Sequence, residues 1–353
     1  MSEEPEPTPQ ETHEPVTPEE NLPSEDWPSS PLQLWPAQSL PMEAAQVVAD
    51  GPPEFPADPP LTLPDRSSAE SPLFASFTQP EIVPPTRIPH LGHFAMLAAL
   101  ALAGLLCAGG LSVLALHFHL FGISTIDQAN ADIHYTLGSM AIVYLATFAG
   151  SLIVFPLLWR KSFFAGIAWR GATALRYRRQ LIGAAFVCLL LAIFNGWLLP
   201  GPSDAPIDRV FRSPGAAWLL FGFGITFAPF FEEIVFRGFL LPALCTACDW
   251  LAEKATHKPP PPLDSDGQPH WSLRAMVIGS VLTSLPFALM HGEQTGYSLG
   301  PFLLLVCVSM VLCWARLSAR SLAASVLVHA SYNFMLFSLM LFGTGGFRHL
   351  DKM

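Results

Sequence analysis

The sequence GAAWLLFGFGITFAPFFEEIVFRG, residues 215–238, begins as an uncharged apolar run and ends with two glutamates and an arginine. A membrane span needs about 20 predominantly apolar residues, and this run is close to that length. A charged side chain at membrane depth costs roughly 2.5–3.5 kcal/mol on insertion scales, so charges retained there usually serve a function. The stretch therefore predicts a membrane-embedded helix that carries Glu232, Glu233 and Arg237 for a reason beyond packing.

Further apolar stretches flank this one, and together they predict an all-α fold, a polytopic bundle of transmembrane helices. They cover residues 94–116, 137–159, 181–199, 275–290, 299–315 and 322–342. The mean hydropathy of +0.40 agrees with a membrane protein. Residues 215–251 can form one membrane span or two, so we expect seven or eight spans in total.

The first 91 residues differ in composition from the rest of the chain. They hold 16 acidic residues, two basic residues and 21 of the 35 prolines, which gives a charge of −14 against +4 for the remainder and −10 overall. So many prolines and so little apolar surface predict a disordered tail, followed by a membrane domain over 92–346 whose motifs lie within 231–333. An acidic tail argues against nucleic-acid binding, and the partner of the tail is unknown.

Basic residues predict the orientation in the membrane. Between the second and third apolar stretches lie Arg160, Lys161, Arg170, Arg176, Arg178 and Arg179, with no acidic residue among them. Cytoplasmic loops carry such an excess, which places this segment and the N-terminal tail in the cytoplasm. The start of the chain lacks a secretory signal. We expect an integral membrane protein of a bacterial inner membrane or an equivalent membrane, in contact with lipid.

Polar side chains occur at membrane depth in three places. Glu233 and Arg237 are four residues apart on one helical face, in the order that favours an ion pair, whereas Glu232 points about 100° away. His291 ends the next apolar run, and His329 and Asn333 share a face of the last one. Glu232 is thus predicted to be free for chemistry, and Glu233 with Arg237 to be a structural pair.

A meeting of Glu232 with His291 requires the chain to run away from the site and return. Residues 238–251 can form the outgoing leg, residues 253–270 the polar turn and residues 275–291 the return. Glu232 is then predicted to lie inside a long element, with Pro229 and Pro242 as positions where that element bends.

The patterns Glu-Glu-x-x-x-Arg, Phe-x-x-x-His and His-x-x-x-Asn, in this order on three of the apolar segments, resemble the CPBP family of CAAX-prenyl proteases, Abi proteins and bacteriocin-processing enzymes. The resemblance covers about residues 215–335, and the loop around 259–268 looks longer than the family pattern. It implies an intramembrane endopeptidase in which Glu232 is the catalytic acid-base, completed by Glu233, Arg237, His291, His329 and Asn333. The motifs HExxH, GxGD and GxSxG of other intramembrane proteases are missing.

Two mechanisms use these residues. A carboxylate beside an imidazole can hold and deprotonate water without any cofactor, and amide or imidazole donors can stabilise the oxyanion. Alternatively, Glu232, His291 and His329 could bind Zn²⁺ and leave one position for water, as in a metalloprotease. We favour the scheme without metal, acting on a peptide or lipidated protein substrate.

Two other functions compete with proteolysis. A membrane immunity protein of the same fold could bind a peptide without cleaving it, and a transporter could use buried Glu and His residues as a proton relay. The complete set of motif residues favours the protease, because a binding protein has little need for all of them. No inverted repeat is evident in support of a transporter.

Overall fold

The computed structural model describes residues 87–199, 214–257, 259–260, 263–264 and 267–347. Apart from its last five residues, the predicted disordered tail lies outside these described residues. Arg87 pairs with Glu253 at 2.7 Å and Ile88 is buried, so the packed part of the chain begins no later than residue 87.

Helices make up nearly all of the described structure. In chain order they are α1 Leu91–His117, a 3₁₀ turn Leu120–Gly122, α2 Ile126–Ala131, α3 Ile133–Trp159, α4 Phe163–Gly166, α5 Gly171–Arg176 and α6 Arg178–Leu198. There follow α7 Pro214–Ile225, α8 Phe227–Glu233, a π-helical segment Ile234–Leu240, α9 Leu241–Thr256, α10 Leu273–Met290, α11 Leu299–Ser318 and α12 Leu322–Gly343. In the described residues the β-structure amounts to one isolated bridge, Leu263 with Pro269.

Seven helices in the described part of the chain are long and apolar enough to cross a membrane. They are α1, α3, α6, the continuous stretch Gly215–Thr256, α10, α11 and α12. Their outer faces expose large apolar side chains such as Leu106, Leu157 and Trp197, which is the pattern of a lipid-facing surface. The predicted all-α polytopic fold is confirmed, with seven candidate spans.

The fourth candidate span is broken at two places that precede its prolines. Pro229 has no N–H for the carbonyl of Ile225, and α7 ends at that residue before α8 begins at Phe227. The π-helical segment ends directly before Leu241 and Pro242, which start α9. Both prolines predicted to bend this element thus lie just after an irregularity of the backbone, and Glu232 and Glu233 lie between the two breaks.

Contacts at the helix ends define the two ends of the bundle. Arg170, after α4, contacts Asp264 in the loop between α9 and α10 at 3.4 Å, so that loop lies beside the Arg-rich segment. At the other end, Gly300 at the start of α11 lies against the backbone of Leu199 after α6. The chain therefore runs away from Glu232 along α9 and returns along α10, as the position of His291 requires.

Candidate active site

The Glu233–Arg237 pair forms the buried base of the site. Arg237 Nη1 donates to Glu233 Oε1 at 2.9 Å, and both side chains are fully shielded from solvent. The other terminal nitrogen, Nη2, donates to the Ser309 carbonyl at 3.0 Å and to Ser309 Oγ at 2.6 Å. The predicted ion pair is confirmed, and it connects the first motif to α11.

Phe287 packs against three polar groups of the site. The Arg237 guanidinium carbon lies 4.5 Å from the centroid of this ring, within the range of a cation–π contact. The ring centroids of His291 and His329 lie 4.9 Å and 5.9 Å away. The phenylalanine of the second motif therefore packs against the arginine and both histidines of the site.

His329 makes a direct hydrogen bond to the first motif. Its Nδ1 atom lies 3.0 Å from Glu233 Oε1, the oxygen that also accepts from Arg237. A carboxylate paired with arginine only accepts hydrogen bonds, so the hydrogen of the imidazole belongs on Nδ1. The other ring nitrogen, Nε2, is then left to face Glu232, at 3.9 Å from its Oε2 atom.

His291 approaches the same glutamate from another helix. Its Nε2 atom lies 3.8 Å from Glu232 Oε2, and its Nδ1 atom lies 2.8 Å from the Phe287 carbonyl. Because a carbonyl cannot donate, this contact also assigns the hydrogen to Nδ1. Two imidazole Nε2 atoms, from α12 and from the end of α10, thus face one carboxylate oxygen whose residue is 8% exposed.

Asn333 lies one helical turn beyond His329 and has a structural partner. Its Nδ2 atom donates to the carbonyl of Gly224 at 2.8 Å, next to the break between α7 and α8. An amide group has two hydrogens, so the second is free of this bond. The amide therefore connects α12 to the end of α7, just before the helix that carries Glu232.

Two residues near the site were not predicted from the sequence. Tyr144 of α3 stacks on Phe231 with a centroid distance of 5.0 Å, beside Glu232. Arg316 of α11 donates through Nε to the carbonyl of Arg237 at 3.2 Å. The only sequence signal for Arg316 was a basic residue directly after the apolar stretch 299–315. The tyrosine gave no signal, since aromatic residues are common in spans.

The zinc alternative can be compared with the positions of possible ligands. Within the described ranges, no group of three or more His, Cys, Asp or Glu side chains is spaced to hold a metal ion. Glu232 Oε2 lies 3.8 Å from Nε2 of His291 and 3.9 Å from Nε2 of His329. Ligand atoms about 2 Å from a tetrahedral zinc ion lie about 3.3 Å from one another, so the zinc alternative stays a prediction.

Comparison with known proteins identifies the domain. The family model of the type II CAAX prenyl endopeptidase Rce1-like proteins matches residues 214–335. Searches of curated proteins and of solved structures found no match. The matched region begins with α7 and ends just after Asn333, so it contains every predicted site residue. The chain is an integral membrane protein whose residues 214–335 match a type II CAAX prenyl endopeptidase Rce1-like domain, which is consistent with a CPBP family intramembrane protease.

Proposed function

We propose that this protein hydrolyses a peptide bond of a membrane-associated protein by means of a water activated at Glu232. The observation that carries the proposal is the convergence of two imidazole Nε2 atoms, from His291 and His329, on Glu232 Oε2. Separations of 3.8 and 3.9 Å are too long for direct hydrogen bonds, so a water bound to the carboxylate would lie within reach of both rings.

The hydrogen bonds behind the two histidines support this arrangement. Phe287 and Glu233 each accept from Nδ1 of one ring, so in a neutral ring the lone pair is on Nε2, the atom that faces Glu232. The two Nε2 atoms and Glu232 Oε2 are then three hydrogen-bond acceptors that face one another. A water molecule between them can donate two hydrogens and so stabilise this arrangement. The site is thus suited to hold water in the orientation that a general base requires.

The proposed reaction conserves protons at Glu232. The carboxylate takes one proton from the water as the water oxygen bonds to the scissile carbonyl carbon, which produces a tetrahedral oxyanion. The protonated Glu232 then gives that proton to the leaving nitrogen, and the C–N bond breaks to yield an acid and an amine. His291 and His329 position the water, while Glu233, held by Arg237, orients His329.

Stabilisation of the oxyanion is assigned to Asn333. One amide hydrogen is used by the Gly224 carbonyl at 2.8 Å, and the second remains for the substrate. An amide fixed in this way needs little reorganisation as charge develops, which is the condition for effective stabilisation of the transition state.

The substrate class and the orientation belong to the same proposal. The family described for residues 214–335 acts on CAAX prenyl proteins, so we infer a lipidated or otherwise membrane-associated protein as substrate. From the Arg-rich segment 160–179 we infer that this end of the bundle and the N-terminal tail face the cytoplasm, in a bacterial inner membrane or an equivalent membrane. Neither a peptide-binding protein nor a proton-coupled transporter is favoured by a specific contact of the site.

The test compares cleavage products in membranes from cells that express the wild type or Glu232→Gln. We expect new N-termini in wild-type membranes that disappear in the variant, while the amount of inserted protein stays the same. Glu293→Gln is the matched control, because Glu293 is exposed in the turn after α10. An unchanged set of cleavage products in Glu232→Gln would refute the proposal.

Metal dependence is tested on the purified protein. The proposed scheme uses only the side chains named above, so activity should survive exhaustive chelation. Stoichiometric zinc that is removed together with activity, and whose return restores activity, would replace this scheme by the zinc mechanism with Glu232, His291 and His329 as ligands.

A further inference from the structure

A cavity of about 180 Å³ lies at the end of the bundle where the Arg-rich segment is found. It is enclosed by the loop between α9 and α10, by the end of α11 and by the segment after α4. The side chains that matter here are Gln268, His270, Arg316 and Arg320. Apart from the contact of Arg316 with the Arg237 carbonyl, the cavity has no part in the proposed hydrolysis.

Arg316 is buried in the wall of this cavity without a counter-ion among the described residues. The residue is 3% exposed, and its Nε atom donates to the Arg237 carbonyl at 3.2 Å. Its two terminal nitrogens make no hydrogen bond or ion pair with any residue in the described ranges. A buried charge that lacks a partner is strongly unfavourable, so a bound anion would stabilise this guanidinium.

The surrounding charges do not supply one from the described residues. Asp264 Oδ2 already contacts Arg320 Nη2 at 2.7 Å and Arg170 Nη2 at 3.4 Å, and Oδ1 accepts from the backbone N–H of Gln268 at 2.6 Å. Asp264 is thus engaged by Arg320, Arg170 and the backbone of Gln268, and none of these contacts reaches Arg316. Among the described residues that line the cavity, the arginines are Arg316 and Arg320, and none is an aspartate or glutamate.

The second arginine of the wall is also held in position. Arg320 Nη1 lies 3.0 Å from His270 Nδ1, while its other terminal nitrogen contacts Asp264. Guanidinium groups fixed in this way present their remaining N–H groups as a fork, which matches the oxygens of a phosphate. The end of the bundle rich in arginine is also where anionic head groups meet a membrane protein.

We propose that this cavity binds one phosphate group, either that of an anionic phospholipid or free phosphate, through Arg316 and Arg320. Arg316 also holds the carbonyl of Arg237, so a bound phosphate would fix the π-helical segment that directly follows Glu232 and Glu233. Binding at this cavity is separate from the hydrolysis of a peptide bond, and its test needs no substrate.

The experiment uses the full-length protein in neutral detergent and in phosphate-free buffer. Inorganic phosphate is titrated by calorimetry at constant ionic strength, and phosphatidylglycerol is compared with diacylglycerol, which lacks the phosphate, by native mass spectrometry. We expect one phosphate or one phosphatidylglycerol per chain and no retention of diacylglycerol. Arg316→Lys and Arg320→Gln should each weaken binding about tenfold or more, since both remove part of the fork.

The control variant is Arg179→Gln, which removes a positive charge from the exposed start of α6 and should leave binding unchanged. Binding of free phosphate assigns the site to the small ion, and binding of phosphatidylglycerol alone assigns it to lipid. The proposal is overturned if the wild type binds neither ligand, or if both cavity variants bind as tightly as the wild type. It is also overturned if Arg179→Gln weakens binding as much as the cavity variants do. Arg320→Gln keeps the test valid if Arg316→Lys does not fold.

Asp266 lies in the same loop but outside the described residues, and it offers an internal alternative. If Asp266→Asn and Arg316→Lys lower the unfolding temperature equally and their effects do not add, the arginine is already neutralised by the chain. That result would also overturn the phosphate site.

Discussion

The Nδ1 atom of His329 lies 3.0 Å from Glu233 Oε1, which links the third motif directly to the first. The same oxygen accepts from Arg237 at 2.9 Å. Glu233 is therefore more than the structural partner of an arginine, because it also determines which nitrogen of His329 carries the hydrogen. The two adjacent glutamates have different roles. Glu233 is buried and orients the imidazole of His329, whereas Glu232 faces the imidazoles of both His291 and His329.

Removal of Arg237 should destabilise the protein through Glu233. Arg237→Met leaves a fully buried carboxylate without its guanidinium, and such a loss costs about 3–5 kcal/mol. We expect a large fall in the thermal unfolding temperature in detergent, and recovery of most of it in the double variant Glu233→Gln/Arg237→Met. The exposed Arg179→Met serves as control, and a loss in Arg237→Met no larger than in this control would contradict the prediction.

Two substitutions at His291 should separate its structural bond from its proposed chemical role. In His291→Asn the side-chain amide can donate to the Phe287 carbonyl, as Nδ1 of the histidine does at 2.8 Å. The asparagine has no atom at the position of Nε2. His291→Gln places its amide nearer to the Nε2 position and loses the other bond.

We expect His291→Asn to keep the wild-type unfolding temperature while turnover falls by about 10², the cost of misplacing a reacting group by about 1 Å. His291→Gln should unfold at a lower temperature. Turnover is measured on a substrate found by the comparison with Glu232→Gln. Wild-type turnover in His291→Asn would remove Nε2 from the mechanism.

Pro242 and Arg316 should be energetically coupled through one carbonyl. Leu241 donates to the Phe236 carbonyl in the register of a π-helix, so the next such bond would join residue 242 to the Arg237 carbonyl. Proline has no N–H, and Arg316 Nε donates to this oxygen instead. The arginine therefore compensates for the proline.

The coupling is measured by a double-mutant cycle on thermal stability. Arg316→Leu alone leaves the buried carbonyl without its donor, which costs about 1–3 kcal/mol. In the Pro242→Ala background the new N–H can replace the arginine, so the same substitution should cost clearly less. If Arg316→Leu lowers stability equally in the wild type and in Pro242→Ala, Arg316 does not replace the missing N–H of Pro242 at the Arg237 carbonyl.

Asp264 should make the loop between α9 and α10 sensitive to acid. Burial by itself raises the pKa of this carboxyl, but the Gln268 N–H, Arg320 and Arg170 together hold the pKa below its usual value. A pKa lowered on folding stabilises the folded state above the unfolded pKa of about 3.9. That stabilisation is lost as the pH falls through the folded pKa.

The comparison of wild type with Asp264→Asn reports this effect. The wild type should unfold at a higher temperature by a constant margin from about pH 5 to pH 8, and the margin should shrink below about pH 4. Asp127→Asn, at an exposed position in α2, is the control and should give little difference at any pH. A margin that grows as the pH falls would have the wrong sign for a carboxylate of lowered pKa.

Much of the architecture was determined by the sequence alone. Runs of apolar residues long enough to cross a bilayer define the spans, because no other structure satisfies the backbone inside lipid. The order Glu-x-x-x-Arg on one helix face produced the Glu233–Arg237 pair, since residues four apart are neighbours wherever the chain is helical. The two prolines predicted to bend the fourth span lie beside its breaks, as the missing N–H requires.

Only the tertiary structure decided which groups meet. Glu232 faces His291 and His329 because α9 and α10 carry the chain out and back, and this closeness depends on packing between helices distant in sequence. The hydrogen bond of His329 to Glu233 and the support of the Arg237 carbonyl by Arg316 likewise join separate helices. Periodicity predicts contacts within a helix, whereas contacts between helices depend on their relative positions and rotations, which local sequence does not encode.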